Sequence, residues 1–402
     1  MIRRGRAFVQ LPGPTNIPER VLRAMSRPAT DFAAPDFVAL ARSAIDDLRR
    51  VFATEGEVFA FVSLGHGVWE AALANLVAPG EAVLVAEAGR FARGWRIVAE
   101  AIGAEVVRVE GDLRRAVDPA AVAEALAADR ERRIRAVLVV HIETSTGIVN
   151  DIPAIRRAID EVGHPALLLV DAVASLAVCE LPMDRWGVDL ALAASQKGLM
   201  MPPGLGFVAV GPRAAARAET GGAPRRYWDW RIRRGPDSYE WFYGTPPVQA
   251  MYGLREALDM LFEEGLERVH ARHRRLAAAV RAAVARWSEA GTVAFHALEP
   301  AERCDAVTAL RLPPEARADE IRAFCRYRLS VAFGGGLPPF EGRMIRIGHL
   351  GDLNEPMILG ALAALELAFV RFGVPHAPGG VEAAIASLAA DRELSPGVPD
   401  AS

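Results

Sequence analysis

The first two thirds of the chain alternate short apolar runs with helical stretches. The least interrupted runs, Ala136–His141 and Ala166–Asp171, are typical of strands that are buried on both faces of a parallel sheet. Further strands are predicted at Glu57–Val62, Ala82–Ala86, Glu105–Glu110, Leu190–Ala194 and Gly206–Val210. Helices are predicted between them at Trp69–Val77, Phe91–Ile102, Pro119–Ala128 (with Asp118 as N-cap) and Ile152–Val162. This alternation predicts an α/β fold with a doubly wound sheet, whose ligands bind at the carboxyl ends of the strands.

The pattern changes after about Gly253. An arginine-rich amphipathic helix at Leu266–Glu289 leads out of the large sheet into a smaller α/β unit. That unit has predicted strands at Ala306–Arg311 and Met344–Ile347, and predicted helices at Ala318–Leu329 and Pro356–Phe372. We therefore expect an N-terminal arm (1–20), a large domain (21–262) and a small C-terminal domain with its connector helix (263–402). The tail after about Leu394 is rich in Pro, Ser and Asp, and we expect it to be frayed.

Composition excludes several classes of protein. The chain has 402 residues, of which 51% are hydrophobic and 24% charged, and its formal net charge is −3. No block of like charge favours nucleic acid or a membrane surface as a partner. No apolar run approaches the roughly 20 residues of a membrane span, and no apolar segment of a secretory signal follows the basic start. We therefore expect a soluble, cytoplasmic protein.

The cysteines and the cations add one exclusion and one clue. Cys179, Cys304 and Cys325 are scattered without CxxC spacing, which argues against a disulfide framework and against a metal site. The 47 cationic side chains comprise 46 arginines and a single lysine, Lys197. Either residue serves as a surface cation, but only lysine loses its proton near neutral pH and attacks a carbonyl. Lys197 is therefore either a chance survivor on the surface or a nucleophile.

The neighbours of Lys197 favour the nucleophile. Lys197 follows directly after the predicted buried strand Leu190–Ala194, where desolvation would lower its pKa. Asp171 closes the apolar run at 167–171, and a carboxylate there is costly unless a cation or donor meets it. A protonated pyridine nitrogen would serve as that partner, and so would a buried arginine.

Two further features fall at the same edge of the predicted sheet. Ser-Leu-Gly-His-Gly at 63–67 joins a strand to a helix, and its glycines and helix N-terminus suit a phosphate, although a tight turn also needs glycine. Arg346 alternates with Ile345 and Ile347 on a short strand and points away from them, as a clamp for a substrate carboxylate or as half of a surface ion pair. A nucleophilic lysine, an acid for a ring nitrogen, a phosphate cradle and a carboxylate clamp are together the parts of a pyridoxal phosphate (PLP) site.

A family resemblance rests on motifs in the same order and spacing from about Leu11 to about Phe372. The chain resembles the class V aminotransferases, which are fold-type I PLP enzymes, in their serine–glyoxylate and alanine–glyoxylate branch. The motifs are Leu-Pro-Gly-Pro-Thr-Asn-Ile-Pro (11–18), His-Ile-Glu-Thr-Ser-Thr-Gly (141–147), Val-Asp-Ala-Val-Ala-Ser (170–175), Ser-Gln-Lys-Gly (195–198), Pro-Pro-Gly (202–204), Thr-Pro-Pro-Val (245–248) and Arg-Ile-Gly-His-Leu-Gly (346–351). The resemblance implies a large domain with a mostly parallel, seven-stranded type of sheet and a small C-terminal α/β domain.

The resemblance also implies roles for individual residues. Lys197 would form the Schiff base with PLP, Asp171 would pair with the pyridine nitrogen, Thr144 would lie near the O3′ side of the ring, and Phe91 would stack on it. The implied phosphate ligands are Gly65, His66, Gly67 and Gln196, joined by Thr245 from the second subunit of a homodimer. Arg346 would bind the substrate α-carboxylate, and Gly13, Pro14 and Asn16 would lie along the substrate pocket.

The chain departs from its relatives at three places. Asp-Phe-Ala-Ala-Pro at 31–35 replaces a more polar sequence that glyoxylate-using relatives carry. Phe242 stands where relatives tend to have a tyrosine, with Tyr243 one place later. The aromatic and basic run at 227–234 lines either a pocket for a bulkier or acidic substrate or a dimer interface.

The sequence thus predicts a PLP-dependent aminotransferase. We expect it to move the amino group of serine, alanine or aspartate to glyoxylate or another small 2-oxo acid, in two half-reactions through pyridoxamine phosphate. The alternatives are a lyase or a cysteine desulfurase of the same fold, or an aminotransferase acting on a different amine. A non-catalytic relative is disfavoured, because the sole lysine is retained at the Schiff-base position.

Overall fold

A computed structural model describes residues 5–391. The expected fraying after about Leu394 therefore falls outside the described residues. Within residues 5–391, no helix is both long enough and apolar enough to cross a membrane.

The strands form one large sheet, one smaller sheet and a short ribbon. Numbered along the chain, they are β1 (Phe8–Gln10), β2 (Glu57–Ser63), β3 (Ala82–Glu87), β4 (Glu105–Glu110), β5 (Ile134–Val140), β6 (Ile142–Glu143), β7 (Ile148–Val149), β8 (Leu167–Asp171), β9 (Leu190–Ala194), β10 (Gly204–Val210), β11 (Ala294–Phe295), β12 (Val307–Arg311), β13 (Val331–Gly335) and β14 (Met344–Gly348).

Helices cover both faces of the large sheet and one side of the small one. They are α1 (Glu19–Met25), α2 (Pro35–Phe52), α3 (Gly65–Leu76), α4 (Arg90–Ala101), α5 (Pro119–Ala128), α6 (Ile152–Glu161), α7 (Pro212–Thr220), α8 (Ser238–Phe242), α9 (Val248–Glu264), α10 (Leu266–Ser288), α11 (Ala318–Arg328), α12 (Glu355–Phe372) and α13 (Gly380–Ala389). Asp118 caps α5 as predicted, since its side chain accepts a hydrogen bond from the backbone N–H of Ala120 at 2.9 Å.

The seven-stranded sheet confirms the predicted α/β class. Its order is β2-β10-β9-β8-β5-β3-β4; β10 runs antiparallel to its two neighbours, and the other pairs are parallel. Along β8, Leu168 and Val170 join the core on the side of α2, α5, α6 and α9, whereas Leu167 and Leu169 join the core on the side of α3, α4 and α7. Apolar cores on both faces explain why the central strands read as continuous apolar runs.

The smaller sheet joins the two ends of the chain. Its order is β1-β13-β14-β12-β11, and β1 lies parallel to β13 with Phe8 opposite Val331. Alternation along a short edge strand is too brief to read, which is why the sequence pattern did not predict β1. The sheet, α10, α11 and α12 share a separate core around Trp287 and Phe369. The predicted domain boundaries at residues 20 and 262 stay a prediction.

Two helices differ from the sequence pattern. Helix α3 begins at Gly65, not Trp69, because the low helix propensity of Gly65 and Gly67 masks its first turn. The change in sequence pattern near Gly253 does not mark the end of an element. It falls inside α9, whose apolar side belongs to the core of the large sheet.

We predict that Trp287→Ala destabilises the chain by about 3–5 kcal/mol, because it leaves a cavity in the well-packed core of the smaller sheet. Trp287 is fully buried and meets Phe369 edge-on at a centroid distance of 5.3 Å. Chemical denaturation measures the free energy of unfolding. Val370→Ala is the matched control, since Val370 also lies on this unit but is 67% exposed. A loss no larger than that of the control would contradict this assignment of the core.

Candidate active site

A cavity of about 310 Å³ opens at the carboxyl ends of β8 and β9, where a ligand site is expected. Its walls come from the loops at the ends of the strands, from the starts of α3 and α4, and from the N-terminal arm. The residues that line it are Gly13, Pro14, Leu64, Gly65, His66, Trp69, Phe91, Val140, Ile142, Thr144, Asp171, Val173, Ala174, Gln196, Lys197 and Pro203. Residues of the motifs at 11–18, 141–147, 170–175, 195–198 and 202–204 therefore meet in one place.

Lys197 lies at the base of this cavity in a desolvated slot. Its side chain is buried, and its Nζ donates a hydrogen bond to the carbonyl oxygen of Pro12. Burial is the main reason that the pKa of Lys197 falls from 10.5 to about 8, and the positive charge of Arg346 lowers it further. In a fraction of the molecules near physiological pH, Lys197 is thus a neutral amine, as a nucleophile requires.

The arm that bonds to Lys197 requires glycine at position 13. Gly13 has φ +101°, and a Cβ there would lie 2.4 Å from Lys197 Cδ and 2.6 Å from Nζ. The next turn of the arm is fastened to the same loop, since Thr15 Oγ1 donates to the carbonyl oxygen of Lys197 at 3.2 Å. A side chain at position 13 would therefore displace the amine.

Asp171 faces the cavity from the end of β8. Its Oδ1 accepts a hydrogen bond from the backbone N–H of Val173 at 2.7 Å, and its Oδ2 accepts one from the indole Nε1–H of Trp69 at 2.7 Å. Burial raises the pKa of Asp171 to about 6, although these two donors and Lys197 oppose the rise. Within residues 5–391 no arginine pairs with Asp171, so the alternative of a buried arginine partner is not realised.

The start of α3 offers unused donors to an anion. The amides of the first turn have no partner inside the helix, and no side chain caps it. Gly65 and His66 line the cavity, whereas Gly67 packs behind it, where a Cβ would lie 2.1 Å from Ser63 Oγ. Gln196 also lines the cavity, and its amide NH2 group can donate to an anion. These groups suit a phosphate.

Glu143 positions the aromatic wall of the cavity. Its buried Oε2 accepts hydrogen bonds from the backbone N–H groups of Phe91 at 3.0 Å and Ala92 at 3.3 Å, and its Oε1 accepts from Ser145. Ser145 Oγ in turn accepts from the N–H of Arg90 at 3.0 Å. The motif at 141–147 therefore caps α4 and fixes Phe91 against the cavity.

Arg346, on the small sheet, adjoins the cavity through Thr144 but is not one of its lining residues. Ile345 and Ile347 are buried in the core of the smaller sheet. Arg346 points the opposite way, as the alternation predicts. Its Nη1 donates to the carbonyl oxygen of Thr144 at 2.9 Å and its Nε to that of Gly335 at 2.7 Å. Burial lowers its pKa to about 10, so it stays charged at neutral pH. Neither hydrogen bond uses Nη2, which leaves a donor for a carboxylate.

Two of the proposed site residues lie elsewhere in the single chain. The Asn16 side-chain amide accepts a hydrogen bond from the Val9 N–H at 3.0 Å and donates one to the Val9 carbonyl oxygen at 2.9 Å. Asn16 does not line the cavity. Thr245 is exposed and also lies outside the cavity lining. Sequence reasoning missed Trp69 and Glu143; the one available signal was that both fall within or next to motifs already singled out.

The residues at which this chain departs from the family pattern pack against other parts of the protein and do not line the cavity. Trp230 is fully buried and stacks on Phe59 at 6.0 Å, and Arg233 packs over the Phe61 ring at 4.2 Å. The run at 227–234 therefore packs on β2 and does not line the cavity. Phe242 is buried in the core between the large sheet and helices α2, α5, α6 and α9. Phe32 packs on Tyr239 at 6.3 Å, also outside the cavity lining.

Comparisons with known proteins agree with this geometry. The family model "Aminotransferase class-V" matches residues 8–325. The chain is 42% identical over 399 residues to serine–glyoxylate aminotransferase of Methylorubrum extorquens, covering 98% of each chain. It is 39% identical to L-aspartate–glyoxylate aminotransferase of Paracoccus denitrificans, covering 93% of this chain and 94% of the relative. The crystal structure of pyridoxamine–pyruvate aminotransferase from Mesorhizobium loti superposes with a TM-score of 0.89 at 30% identity, covering 96% and 98%.

We predict that Lys197→Met raises the thermal unfolding midpoint of the cofactor-free protein at neutral pH. The folded pKa of Lys197 lies near 8, below its ordinary 10.5, so the charged lysine opposes folding. This cost is complete below pH 8 and is relieved as the pH rises toward 10.5. The gain from methionine should therefore shrink between pH 7 and about pH 10, near the unfolded pKa. A variant that melts below the wild type at pH 7 would contradict this account of the slot.

Proposed function

Because the chain belongs to the class V aminotransferase family and is a PLP-dependent transaminase, we propose that it transfers the amino group of a small L-amino acid to glyoxylate or another small 2-oxo acid. Serine, alanine and aspartate are the candidate donors. Relatives named serine–glyoxylate and aspartate–glyoxylate aminotransferase support glyoxylate as the acceptor. The observation that carries the proposal is a partly neutral, buried lysine beside a charged arginine whose Nη2 is free for a carboxylate.

The residues of the cavity fit the cofactor. Its aldehyde reacts with amines, and its protonated ring withdraws electrons from the substrate Cα. Lys197 would hold the aldehyde end and Asp171 the ring nitrogen, while Phe91 would cover one ring face and Thr144 would lie on the O3′ side. The phosphate would be held by Gly65, His66, Gly67 and Gln196. The uncapped start of α3, with its free backbone N–H groups, supports this placement.

Arg346 and Lys197 have different roles toward the substrate: Arg346 binds its carboxylate, and Lys197 exchanges a proton with its Cα. Donor and acceptor share an α-carboxylate, so one arginine can orient both in turn. Lys197 would hold the aldehyde end of the cofactor, and its amine, when free, would be the base that accepts the proton of the substrate Cα and gives it back. A pKa near 8 suits an amine that must both accept and give up a proton. The two substrates then use one site in alternation, which gives a ping-pong scheme.

The proposed site is completed by a second copy of the chain. Leu64 lines the cavity yet is 47% exposed, and Val62 on the adjoining strand is 48% exposed. Thr245 is exposed and free of its own cavity, as a residue contributed to a partner's phosphate site would be. Asn16 belongs to the same proposal as a positioning element of the arm. A cytoplasmic location stays a prediction from the sequence.

The geometry disfavours a desulfurase, which needs a mobile, ionisable thiol. Burial raises the pKa of Cys304 to about 11 and of Cys325 to about 12, and it also raises the pKa of Cys179. Cys304 Sγ donates to the carbonyl oxygen of Val307 at 3.2 Å. None of the three thiols lines the cavity.

The test is a visible absorption titration of the purified holoenzyme. We expect serine, alanine or aspartate to bleach the band of the bound cofactor, and glyoxylate to restore it. Arg346→Gln should raise the donor concentration for half-bleaching about tenfold or more, because it removes a charge-assisted hydrogen bond to the carboxylate.

Arg322→Gln is the matched control. Arg322 also donates to a carbonyl of β13, that of Phe333 at 3.1 Å, but unlike Arg346 it makes no hydrogen bond to Thr144, which lines the cavity. It should leave the titration within about twofold of the wild type, because it removes only a like charge near Arg346 and no donor to the substrate carboxylate. A holoenzyme that no donor bleaches would contradict the proposed function, and an unaffected Arg346 variant would contradict the role of Arg346.

A further inference from the structure

We propose that Trp69 is a positioning residue for the cofactor: its indole N–H holds Asp171 ionised and aimed at the ring nitrogen. Trp69 lies on α3, is 2% exposed and lines the cavity. Its Nε1 is 2.7 Å from Asp171 Oδ2. The inference rests on the proposed pairing of Asp171 with the pyridine nitrogen.

Trp69 and the backbone together fix the rotation of the carboxylate. Each Asp171 oxygen receives one hydrogen bond, Oδ1 from the N–H of Val173 and Oδ2 from Trp69, both at 2.7 Å. A carboxylate has about four acceptor positions, so each oxygen keeps capacity for the ring N–H. With Trp69 removed, only Oδ1 would be held, and the plane of the carboxylate could turn.

The indole donor also bears on the charge of Asp171. Burial favours the protonated carboxyl, and Glu143 adds a repulsive charge, whereas the donors of Val173 and Trp69 and the Lys197 cation favour the carboxylate. The titratable groups on the other elements around Asp171 are His66 on α3 and His141 at the end of β5, and burial lowers the pKa of both imidazoles. Neither histidine is hydrogen-bonded through its ring to Asp171, so Trp69 is its one side-chain donor within residues 5–391.

Packing locks the indole in the donating orientation. Trp69 stacks on Trp95 with an interplanar angle of 16° and a centroid distance of 6.3 Å. Phe91 meets it at 6.4 Å and His66 at 4.4 Å. The cluster that holds Trp69 therefore also includes Phe91, so the donor to Asp171 and the proposed ring cover belong to one packed cluster.

Trp95 provides a matched control for the test. It is fully buried in the same stack, but its indole Nε1 has no hydrogen-bond partner. Trp69→Phe and Trp95→Phe therefore remove the same atoms from the same core. Only Trp69→Phe removes a donor to Asp171, but it also trims the cavity wall; replacing the Trp69 indole by benzothiophene, which keeps the shape without the N–H, isolates the hydrogen bond.

The experiment measures the ring nitrogen directly. Each variant is loaded with ¹⁵N-ring-labelled PLP, and the ¹⁵N shift is followed against pH together with the dissociation constant of the cofactor. For Trp69→Phe we expect the apparent pKa of the ring nitrogen to fall by about one unit and the dissociation constant to rise about tenfold, as for loss of a charge-assisted hydrogen bond. Trp95→Phe should stay near the wild type in both.

Further variants separate the possible failures. If Asp171→Asn leaves ring protonation unchanged, the proposed role of Asp171 fails; if it lowers ring protonation while Trp69→Phe behaves like Trp95→Phe, only the inference about Trp69 is overturned. In the Asp171→Asn background, Trp69→Phe should add no more than Trp95→Phe does. If Trp69→Phe does not fold, replacing the Trp69 indole by benzothiophene keeps the shape without the N–H, and the same shifts are expected.

Discussion

The burial of one lysine is the constraint on which the rest of the site depends. Lys197 loses most of its hydration, and the nearby Arg346 guanidinium adds a like charge, so its pKa falls to about 8. The carboxylates of Asp171 and Glu143 oppose that fall and balance the two cations in a largely apolar cavity. Without the carboxylates the cations would be too costly to bury together, and without the burial the amine would stay protonated.

The fold brings these charges together from separate parts of the chain. Asp171 is the last residue of β8 and Lys197 follows the adjacent parallel strand β9, so their proximity is a direct consequence of the sheet. Arg346 comes from the small sheet and donates to the carbonyl oxygen of Thr144, in the turn between β6 and β7. The arm between β1 and α1 closes the slot through Pro12 and Gly13. The site is therefore an assembly of both sheets, and its geometry reports their packing.

The sequence predicted the features that follow from local rules. Continuous apolar strands, the Asp118 cap, the outward direction of Arg346 and the sole lysine after β9 can each be read from neighbouring residues. Trp69 and Glu143 could not be assigned in this way. Each looks like an ordinary helix or strand residue, and each gains its role from a partner far along the chain: Asp171 is 102 residues from Trp69, and Phe91 is 52 residues from Glu143. Long-range hydrogen bonds of this kind leave no periodic signal.

The most direct test of this account is reductive trapping of the bound cofactor. Because Lys197 is the only lysine, borohydride treatment of the holoenzyme should attach one pyridoxyl phosphate group per chain, and peptide mass spectrometry should place it on Lys197. Lys197→Met should take up no label under the same conditions. A wild-type protein that binds PLP but yields no labelled Lys197, or that is labelled at its N-terminal amine instead, would contradict the central claim.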